Sequence, residues 1–168
     1  MDRISKLLGL FILISWGYGC ASLRPPLLPA TSIKNASLEG YKYIYVSPTN
    51  SMTSSSGSTI NGTLLSSSKT VNPADLITGI FIKEGLIRLP ELKPELAEET
   101  LIINYGESGK RNTGGLGGYT LEVTIQLISA KTSSFVCSCT AEGQGSTEAD
   151  DIRHAITRCL NELTPVKK

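Results

Sequence analysis

The chain has 168 residues, of which 16 are basic and 15 acidic, so its formal net charge is +1. This balance gives the protein no electrostatic reason to bind nucleic acid or an anionic bilayer surface, and we expect neither partner. The length suits one domain with its own hydrophobic core.

Residues 1–19 have the pattern of a signal peptide. Two basic residues precede a largely apolar run at 7–16, and glycines occupy positions minus three and minus one relative to Cys20. The apolar run is too short to span a hydrocarbon core of about 30 Å, so a transmembrane anchor is the weaker alternative. We therefore expect the leader to be removed during export.

The sequence around Cys20 resembles the lipobox of bacterial lipoproteins. Gly19 and Cys20 fit that motif, whereas Gly17 and Tyr18 depart from the leucine and the small residue that the family usually carries. The resemblance implies that Cys20 begins the mature chain and carries fatty acyl chains that hold it at a membrane. No aspartate follows Cys20, so the resemblance implies the outer membrane, facing the periplasm. The alternative is ordinary cleavage that leaves a soluble periplasmic or secreted protein.

Residues 20–37 are predicted to form the lipidated cysteine and an extended tether, because three prolines interrupt regular pairing. A single domain is then expected at 38–165. Its first strand is predicted at 41–46, where strand-forming residues alternate strictly. The tyrosines on one face of this strand are Tyr41, Tyr43 and Tyr45.

Residues 50–70 are rich in serine, threonine and glycine. They contain few apolar side chains, so we predict a mobile loop, with a short strand at 58–65 as an alternative. Asn72 and Pro73 then predict a helix start, because asparagine caps helix N-termini and proline suits the first helical position. Gly85 is the expected end of this helix.

Three further strands and a helix are predicted in the second half. Residues 100–105 are apolar and rich in strand formers, and a glycine-rich loop is expected at 106–118. Residues 119–127 alternate, and 135–142 are predicted to pair with them as an antiparallel hairpin. The residues of the last strand that should face the core are Phe135, Cys137, Cys139 and Ala141.

The last predicted element is a helix at 147–163. Thr147 is placed as the N-cap and Asp150 as the third helical residue, which satisfies free backbone donors. An apolar stripe at helical spacing should pack on the sheet. The stripe consists of Ile152, Ile156, Cys159, Leu160 and Leu163.

The elements follow the order β-α-β-β-β-α and predict an α+β fold. We expect a two-layer sandwich in which two helices cover one face of a mostly antiparallel sheet of about four strands. This order, behind a lipobox leader and a tether, resembles small envelope lipoproteins of Gram-negative bacteria whose biochemical role is mostly unassigned. The strand at 101–105, the hairpin and the terminal helix carry the resemblance, which implies no catalytic motif.

No catalytic residue, metal site or cofactor is expected. His154 is the only histidine, and it lies outside the apolar stripe with no nucleophile to serve. The glycines and lysine at 106–111 lack the spacing of a phosphate loop. Cys137 and Cys139 lack the second pair that zinc sites require. We therefore predict that the chain is not an enzyme.

Cys137 and Cys159 are predicted to lie level at the interface between helix and sheet. Counted from Thr147, Cys159 lies about 18 Å along the helix and Cys137 lies about 17 to 20 Å back along its strand. Disulfides persist outside the cytoplasm, and a bridge closing about twenty residues would stabilise the fold by about 3 kcal/mol. The alternative is three buried thiols.

The sheet face away from the helices is the predicted partner-binding surface. Tyrosines among hydrogen-bonding side chains suit the recognition of a protein or a glycan. The alternatives are that tyrosine simply favours strands, or that the serine-rich segment covers this face. The predicted surface comprises Tyr41, Tyr43, Tyr45, Glu122, Thr124 and Gln126.

These features predict a non-catalytic, lipid-anchored cell-envelope protein that acts as a binding or accessory module in an envelope assembly or transport system. Its partners would be a membrane, through the lipid anchor, and an envelope protein or a glycan. The alternative is a soluble or anchored periplasmic module that binds a small molecule or a glycan.

Overall fold

The computed structural model describes residues 26–60, 63–114 and 118–164. The predicted signal peptide at 1–19 and the predicted lipid-attachment residue Cys20 lie outside the described residues. Within the described ranges, no helix is both long and apolar enough to cross a membrane.

Six strands form one mixed sheet in the order β1-β8-β7-β6-β2-β5, and β3 and β4 form a separate two-stranded sheet. The strands are β1 (Thr31–Lys34), β2 (Tyr43–Val46), β3 (Met52–Ile60), β4 (Thr63–Val71), β5 (Ile87–Arg88), β6 (Thr100–Gly114), β7 (Gly118–Ser129) and β8 (Phe135–Gly143). The helices are α1 (Pro73–Lys83) and α2 (Glu148–Leu163), and a 3-10 helix spans Pro94–Glu99.

The two-layer α+β sandwich is confirmed, but the sheet is larger than predicted. Strand β2 pairs in parallel with β5 and β6, whereas the pairs β6–β7, β7–β8 and β8–β1 are antiparallel. The crossover from β2 to β5 contains the β3–β4 hairpin and α1, and it returns the chain so that β2 and β5 run in the same direction. The sheet is therefore mixed and has six strands rather than four.

The predicted boundary between tether and domain is wrong. Residues 31–34, expected within the tether, form β1 and pair with β8, so that Thr31 lies opposite Thr140. Ala30 also packs against the core. Strand β8 would otherwise present an unpaired edge, and the β-compatible residues that follow the prolines cover it. The folded domain therefore begins well before residue 38.

The mobile loop predicted at 50–70 is also wrong, because β3 and β4 form a long antiparallel hairpin there. Serine and threonine are compatible with strands when their hydroxyls find partners. The Thr53 and Thr70 hydroxyls hydrogen-bond across the strands at 2.9 Å. The Ser54 hydroxyl accepts the Ala149 N–H at 3.0 Å, which holds the hairpin against the start of α2.

The glycine-rich loop predicted at 106–118 is largely strand. Strand β6 continues through Gly114 and pairs with β7, with a register shift between Glu107 and Gly109. Such a bulge lets the strand pass an extra residue and keep pairing. The strand therefore continues well past Gly106, where the glycine content predicted that a loop would begin.

The predicted helix ends are confirmed. The Asn72 side chain accepts the Ala74 N–H at 3.0 Å, and the Thr147 hydroxyl accepts the Asp150 N–H at 3.3 Å. Gly85 follows α1 with a φ of +91°, a conformation that glycine adopts without strain. These local signals were sufficient to place both helices.

The hydrophobic core lies between the helices and one face of the six-stranded sheet. Leu121, Val123, Ile125 and Leu127 supply its centre, and the predicted stripe of α2 is buried against them. Helix α1 contributes Ala74, Ile77 and Phe81. The largest fully buried side chains include Phe81, Ile44, Ile77, Leu101, Ile103, Leu121, Ile125, Leu127, Ile152, Ile156 and Leu160.

Strand β8 begins with a bulge that reverses the prediction for its first two residues. Ile128 pairs with Phe135 and Leu127 pairs with Cys137, so Val136 is the extra residue. Val136 is 1% exposed and belongs to the core, whereas Phe135 is half-buried. Phe135 shares the face of its partner Ile128, opposite the helices, rather than the core face predicted from alternation.

The predicted disulfide between Cys137 and Cys159 is wrong. Cys139 bonds to Cys159, with a Cα–Cα distance of 5.5 Å, and Cys137 is a buried free thiol. Gly143 of β8 packs against the backbone of Asp151 in α2, so the strand and the helix are level at these two residues. Distances to the cysteines must therefore be counted from Gly143 and Asp151, and not from Thr147. Eight helical residues and four strand residues then both span about 12 to 13 Å.

Candidate functional site

The sheet face opposite the helices, here called the open face, is the candidate binding surface. Tyr43 and Tyr45 are half-buried and alternate with the core residues Ile44 and Val46, so they belong to this face. Tyr41 lies before β2 and packs against the hydrophobic core. The prediction that Tyr41 shares the open face with Tyr43 and Tyr45 is therefore not met, because Tyr41 packs against the core.

A row of apolar and aromatic side chains crosses the open face. Tyr45 pairs with Ile102, Ile102 pairs with Ile128, and Ile128 pairs with Phe135. Side chains at directly paired positions lie about 4.5 to 5.5 Å apart at their Cβ atoms, so these four residues are adjacent across four strands. We call this set the apolar row.

Tyr43 and Ile87 extend the apolar row toward the edge of the sheet. They are directly paired on β2 and β5, and Ile87 is 57% exposed. All four residues of the row itself are half-buried. Neither helix covers them, because both helices pack on the other side of the sheet. The result is a band of apolar surface at the end of the sheet near the turn at 130–134.

The opposite end of the open face is polar. The Ser108 hydroxyl donates to Glu122 at 2.7 Å, and the hydroxyls of Thr124 and Thr140 hydrogen-bond at 2.9 Å. Glu122 lies six residues from Ile128 along β7, about 20 Å away. Glu122 and Thr124 therefore do not form one cluster with the tyrosines.

A strip of uncharged polar groups separates these two ends. The Ser47 hydroxyl donates to the Asn104 side-chain oxygen at 2.7 Å, and Asn104 pairs with Gln126. Gln126 is exposed. Amides beside the apolar row can hydrogen-bond a partner that rests on the aromatic rings.

A second cluster surrounds Glu142, whose side chain is only 4% exposed. Arg111 binds it with two hydrogen bonds, from Nε to Oε1 at 2.6 Å and from Nη2 to Oε2 at 2.7 Å. The Thr120 hydroxyl donates to Oε1 at 3.2 Å, and the backbone N–H of Leu28 donates to Oε2 at 2.9 Å. A buried carboxylate is thereby saturated with donors.

Arg158 of α2 also binds Glu142 and Leu28, through their backbone carbonyl oxygens. It donates to the carbonyl of Glu142 at 2.5 Å and to the carbonyl of Leu28 at 2.8 Å. We call Arg111, Thr120, Glu142 and Arg158 the tether clamp, because together they hold the polypeptide that leads to β1. The Arg111 guanidinium, aided by the Leu28 and Thr120 donors, lowers the pKa of Glu142 from 4.5 to about 2, against the effect of burial.

Three further titratable groups lie at or near the start of α2. Lys69 lowers the pKa of Asp150, whereas burial raises the pKa of Asp151. The exposed His154 places Nδ1 2.7 Å from the Gln144 carbonyl oxygen. Among the residues that the structure describes, no group of three His, Cys, Asp or Glu side chains could hold a metal ion.

Both clusters contain residues that sequence reasoning missed. The runs at 101–103 and 127–128 break strict alternation, and this signal could have placed Ile102 and Ile128 on the open face. Arg111 was assigned to a loop, and nothing in the local sequence pairs it with Glu142, 31 residues away. The tether clamp becomes visible only when the strand register is known.

No protein-family profile matches this chain, and no curated protein sequence matches it. Among solved structures, the chain is similar to two crystal forms of the PelC dodecamer from Paraburkholderia phytofirmans. A point variant in space group C2 gives a TM-score of 0.49 at 15% identity, covering 80% of this chain and 96% of that one. The form in space group P6 gives 0.46 at 17% identity, covering 78% and 94%.

Proposed function

We propose that this chain is a non-catalytic, lipid-anchored cell-envelope protein whose open face binds a partner, as an accessory module of an envelope assembly or transport system. The observation that carries the proposal is the apolar row from Tyr45 to Phe135, which neither helix covers. Contiguous apolar surface rimmed by polar groups is typical of interaction sites. Aromatic side chains are enriched in the cores of such interfaces.

The row favours a protein partner with an apolar patch of its own. Its side chains come from four adjacent strands, and Tyr45 can add a hydrogen bond through its hydroxyl. Charged residues are absent from the row itself, so desolvation costs little there. Ser47, Asn104 and Gln126 provide a polar rim on one side.

Photo-crosslinking tests this proposal in the intact envelope. A photoreactive phenylalanine analogue at position 45 should yield a specific crosslinked protein, whereas the analogue at position 82 should not. Ile82 is a suitable control because it is 52% exposed on α1, in the opposite layer. Equal crosslinking from both positions, or none from position 45, contradicts the proposed binding face.

The membrane anchor is a separate part of the proposal. Cys20 would be lipidated at the outer membrane, facing the periplasm, and two or more acyl chains would hold the protein there. Inhibition of lipoprotein signal peptidase should then cause a precursor that retains residues 1–19 to accumulate. A normally processed, soluble protein under that treatment contradicts the anchor.

A glycan is the second candidate ligand. Two tyrosine rings beside the Asn104 and Gln126 amides would allow stacking on a sugar face together with hydrogen bonding. Binding of neutral polysaccharides to the mature protein should then fall at least tenfold in the Tyr43→Ser, Tyr45→Ser double variant. Unchanged binding by the double variant contradicts this candidate.

A further inference from the structure

The path of the tether along the domain is fixed by the geometry of β1. Because β1 runs antiparallel to β8, the polypeptide before Thr31 continues toward the C-terminal end of β8. Leu28 there contacts Glu142 through its N–H and Arg158 through its carbonyl. Arg111 reaches the carbonyl oxygen of Pro26 at 3.5 Å. The first described residues therefore lie beside the tether clamp.

The β3–β4 hairpin and the β6–β7 hairpin both extend from this same end of the molecule. Gly143, the last residue of β8, packs against Asp151, so α2 begins there. Lys110 of β6 and Lys69 of β4 each form an ion pair with an acid in the first turn of α2, at 2.6 and 2.7 Å. The hairpins continue several residues beyond these ion pairs. We call this the clamp end.

We propose that the tether clamp turns the clamp end toward the bilayer that holds Cys20, an inference that rests on the proposed lipid anchor. Six peptide units join Cys20 to Pro26, so their Cα atoms lie at most about 21 Å apart. Phe135, at the other end of β8, lies about 23 Å from Glu142. The hairpins therefore face the membrane, and the apolar row faces away from it, where a partner can reach it.

Orientation depends on the clamp because the clamp shortens the stretch between Cys20 and the first residue held by the domain. Without the clamp, the first fixed residue is Thr31, which pairs with Thr140. The number of peptide units between Cys20 and the first held residue then grows from six to eleven, with a maximum span of about 38 Å. This exceeds the length of β8, about 26 Å, so the released domain could turn either end to the membrane.

Amide hydrogen exchange of Leu28 tests the clamp without any lipid. In the mature protein, Glu142→Ala should speed exchange of the Leu28 amide at least tenfold, because its acceptor is removed. Glu148→Ala is the matched control, since it removes an acid at the same end that binds Lys110 and not the tether. Equal exchange rates in the Glu142→Ala and unmodified proteins overturn the clamp.

A milder variant keeps this measurement informative if Glu142→Ala does not fold. Arg111→Lys retains the positive charge but cannot bind the carboxylate through two nitrogens, so it should give an intermediate exchange rate. A rate identical to that of the unmodified protein overturns the role of Arg111 in holding the tether.

Fluorescence quenching tests the orientation at a membrane. Mature protein carrying Cys137→Ala can be coupled through Cys20 to a maleimide lipid in phosphatidylcholine vesicles that contain headgroup-nitroxide lipid. The only tryptophan in the sequence is in the leader, so Ser66→Trp reports the hairpin end and Thr132→Trp the opposite end. We expect quenching at position 66 at least threefold stronger than at 132.

The clamp variant provides the matched comparison. In the Glu142→Ala background, the difference between positions 66 and 132 should fall below 1.5-fold, whereas Glu148→Ala should preserve it. Equal quenching at both positions with an intact clamp overturns the orientation. Coupling at Cys20 is chemical, so this result does not depend on lipidation in the cell, and failure of the proposed anchor remains distinguishable through its precursor test.

Discussion

Glu142 connects three parts of the chain that are distant in sequence. Its carboxylate binds Arg111 on β6 and Leu28 before β1, and its carbonyl binds Arg158 on α2. Because the carboxylate is 4% exposed, an unpaired charge there would be costly, and the arginine and backbone donors offset that cost. One side chain thereby attaches the N-terminal segment to the domain.

Acid should remove the stabilisation that Glu142 provides. Its pKa in the folded protein is about 2, below the ordinary 4.5, so the stabilisation is complete above pH 4.5 and is lost as pH falls toward 2. Arg111, which binds this carboxylate, has a pKa that the pairing raises further, so it stays charged throughout this range. Glu142→Gln should cost about 2 kcal/mol at pH 6, allowing for the 38% exposure of Arg111, and almost nothing near pH 2. Thermal unfolding of both proteins at several pH values measures this difference, and a gap that does not change with pH contradicts it.

The cysteines give a second prediction at this scale. Cys139→Ala should lower the free energy of unfolding by about 3 kcal/mol, because it opens a bridge that spans 20 residues. Cys137→Ala is the matched control on the same strand and should cost about 1 kcal/mol, since only a buried thiol is lost. Non-reduced peptide mapping should retain the crosslink in Cys137→Ala and lose it in Cys139→Ala. The reverse pattern would favour the original pairing of Cys137 with Cys159.

At the scale of elements, local sequence signals predicted both helices correctly. Several strand predictions were wrong because those strands depend on pairing with residues far away in the sequence. Asn72 and Thr147 cap their helices through hydrogen bonds within three residues, so sequence alone contains the information. Strand β1 exists because β8, more than a hundred residues later, offers an unpaired edge. For β3 and β4, Asn61-Gly62 is a strong hairpin signal in the sequence, whereas the polar composition around it favours a loop, and the hairpin signal is the correct one.

The residues of the open face likewise include some that local pattern predicted correctly and some that depend on strand pairing. Alternation predicted that Tyr43 and Tyr45 oppose the core, and this is confirmed because it depends only on strand period. Phe135 was assigned to the core because a bulge cannot be read from an alternating pattern. A bulge places two residues of one strand opposite one residue of its partner, so it depends on both strands and not on the sequence of either strand alone.

The bulge in β8 leads to a prediction about adjacent residues. Val136→Ala should lower the free energy of unfolding by about 2 kcal/mol, because Val136 is 1% exposed and its loss leaves a cavity. Phe135→Ala should cost less than about 1 kcal/mol, the usual range for a cross-strand pair on a half-exposed face. Chemical denaturation of both variants measures the difference. A larger loss from Phe135→Ala contradicts the position of the bulge.

At the scale of the whole molecule, the two ends of the sandwich differ in composition and in what they contact. The clamp end carries the tether clamp, the β3–β4 and β6–β7 hairpins, and the ion pairs of Lys69 and Lys110 with α2. The other end carries the turn at 130–134 and the apolar row. A protein that is held at one end and binds at the other keeps its binding face clear of the membrane, which unites the proposed anchor with the proposed binding face.

The N-terminal segment should behave as part of the folded domain in truncation experiments. A chain beginning at residue 38, the boundary predicted from composition, lacks β1 and exposes the edge of β8, including the backbone groups of Cys137 and Cys139. Unpaired strand edges recruit other chains, so this truncation should unfold at least 5 °C lower and self-associate.

A chain beginning at residue 26 is the matched control, because it keeps both β1 and the contacts of Leu28 with Glu142 and Arg158. It should unfold within about 1 °C of the mature protein and remain in its oligomeric state. Thermal unfolding and light scattering measure both properties. If the two truncations behave alike, the segment at 26–37 is a passive tether, and neither the clamp nor the orientation that depends on it can hold.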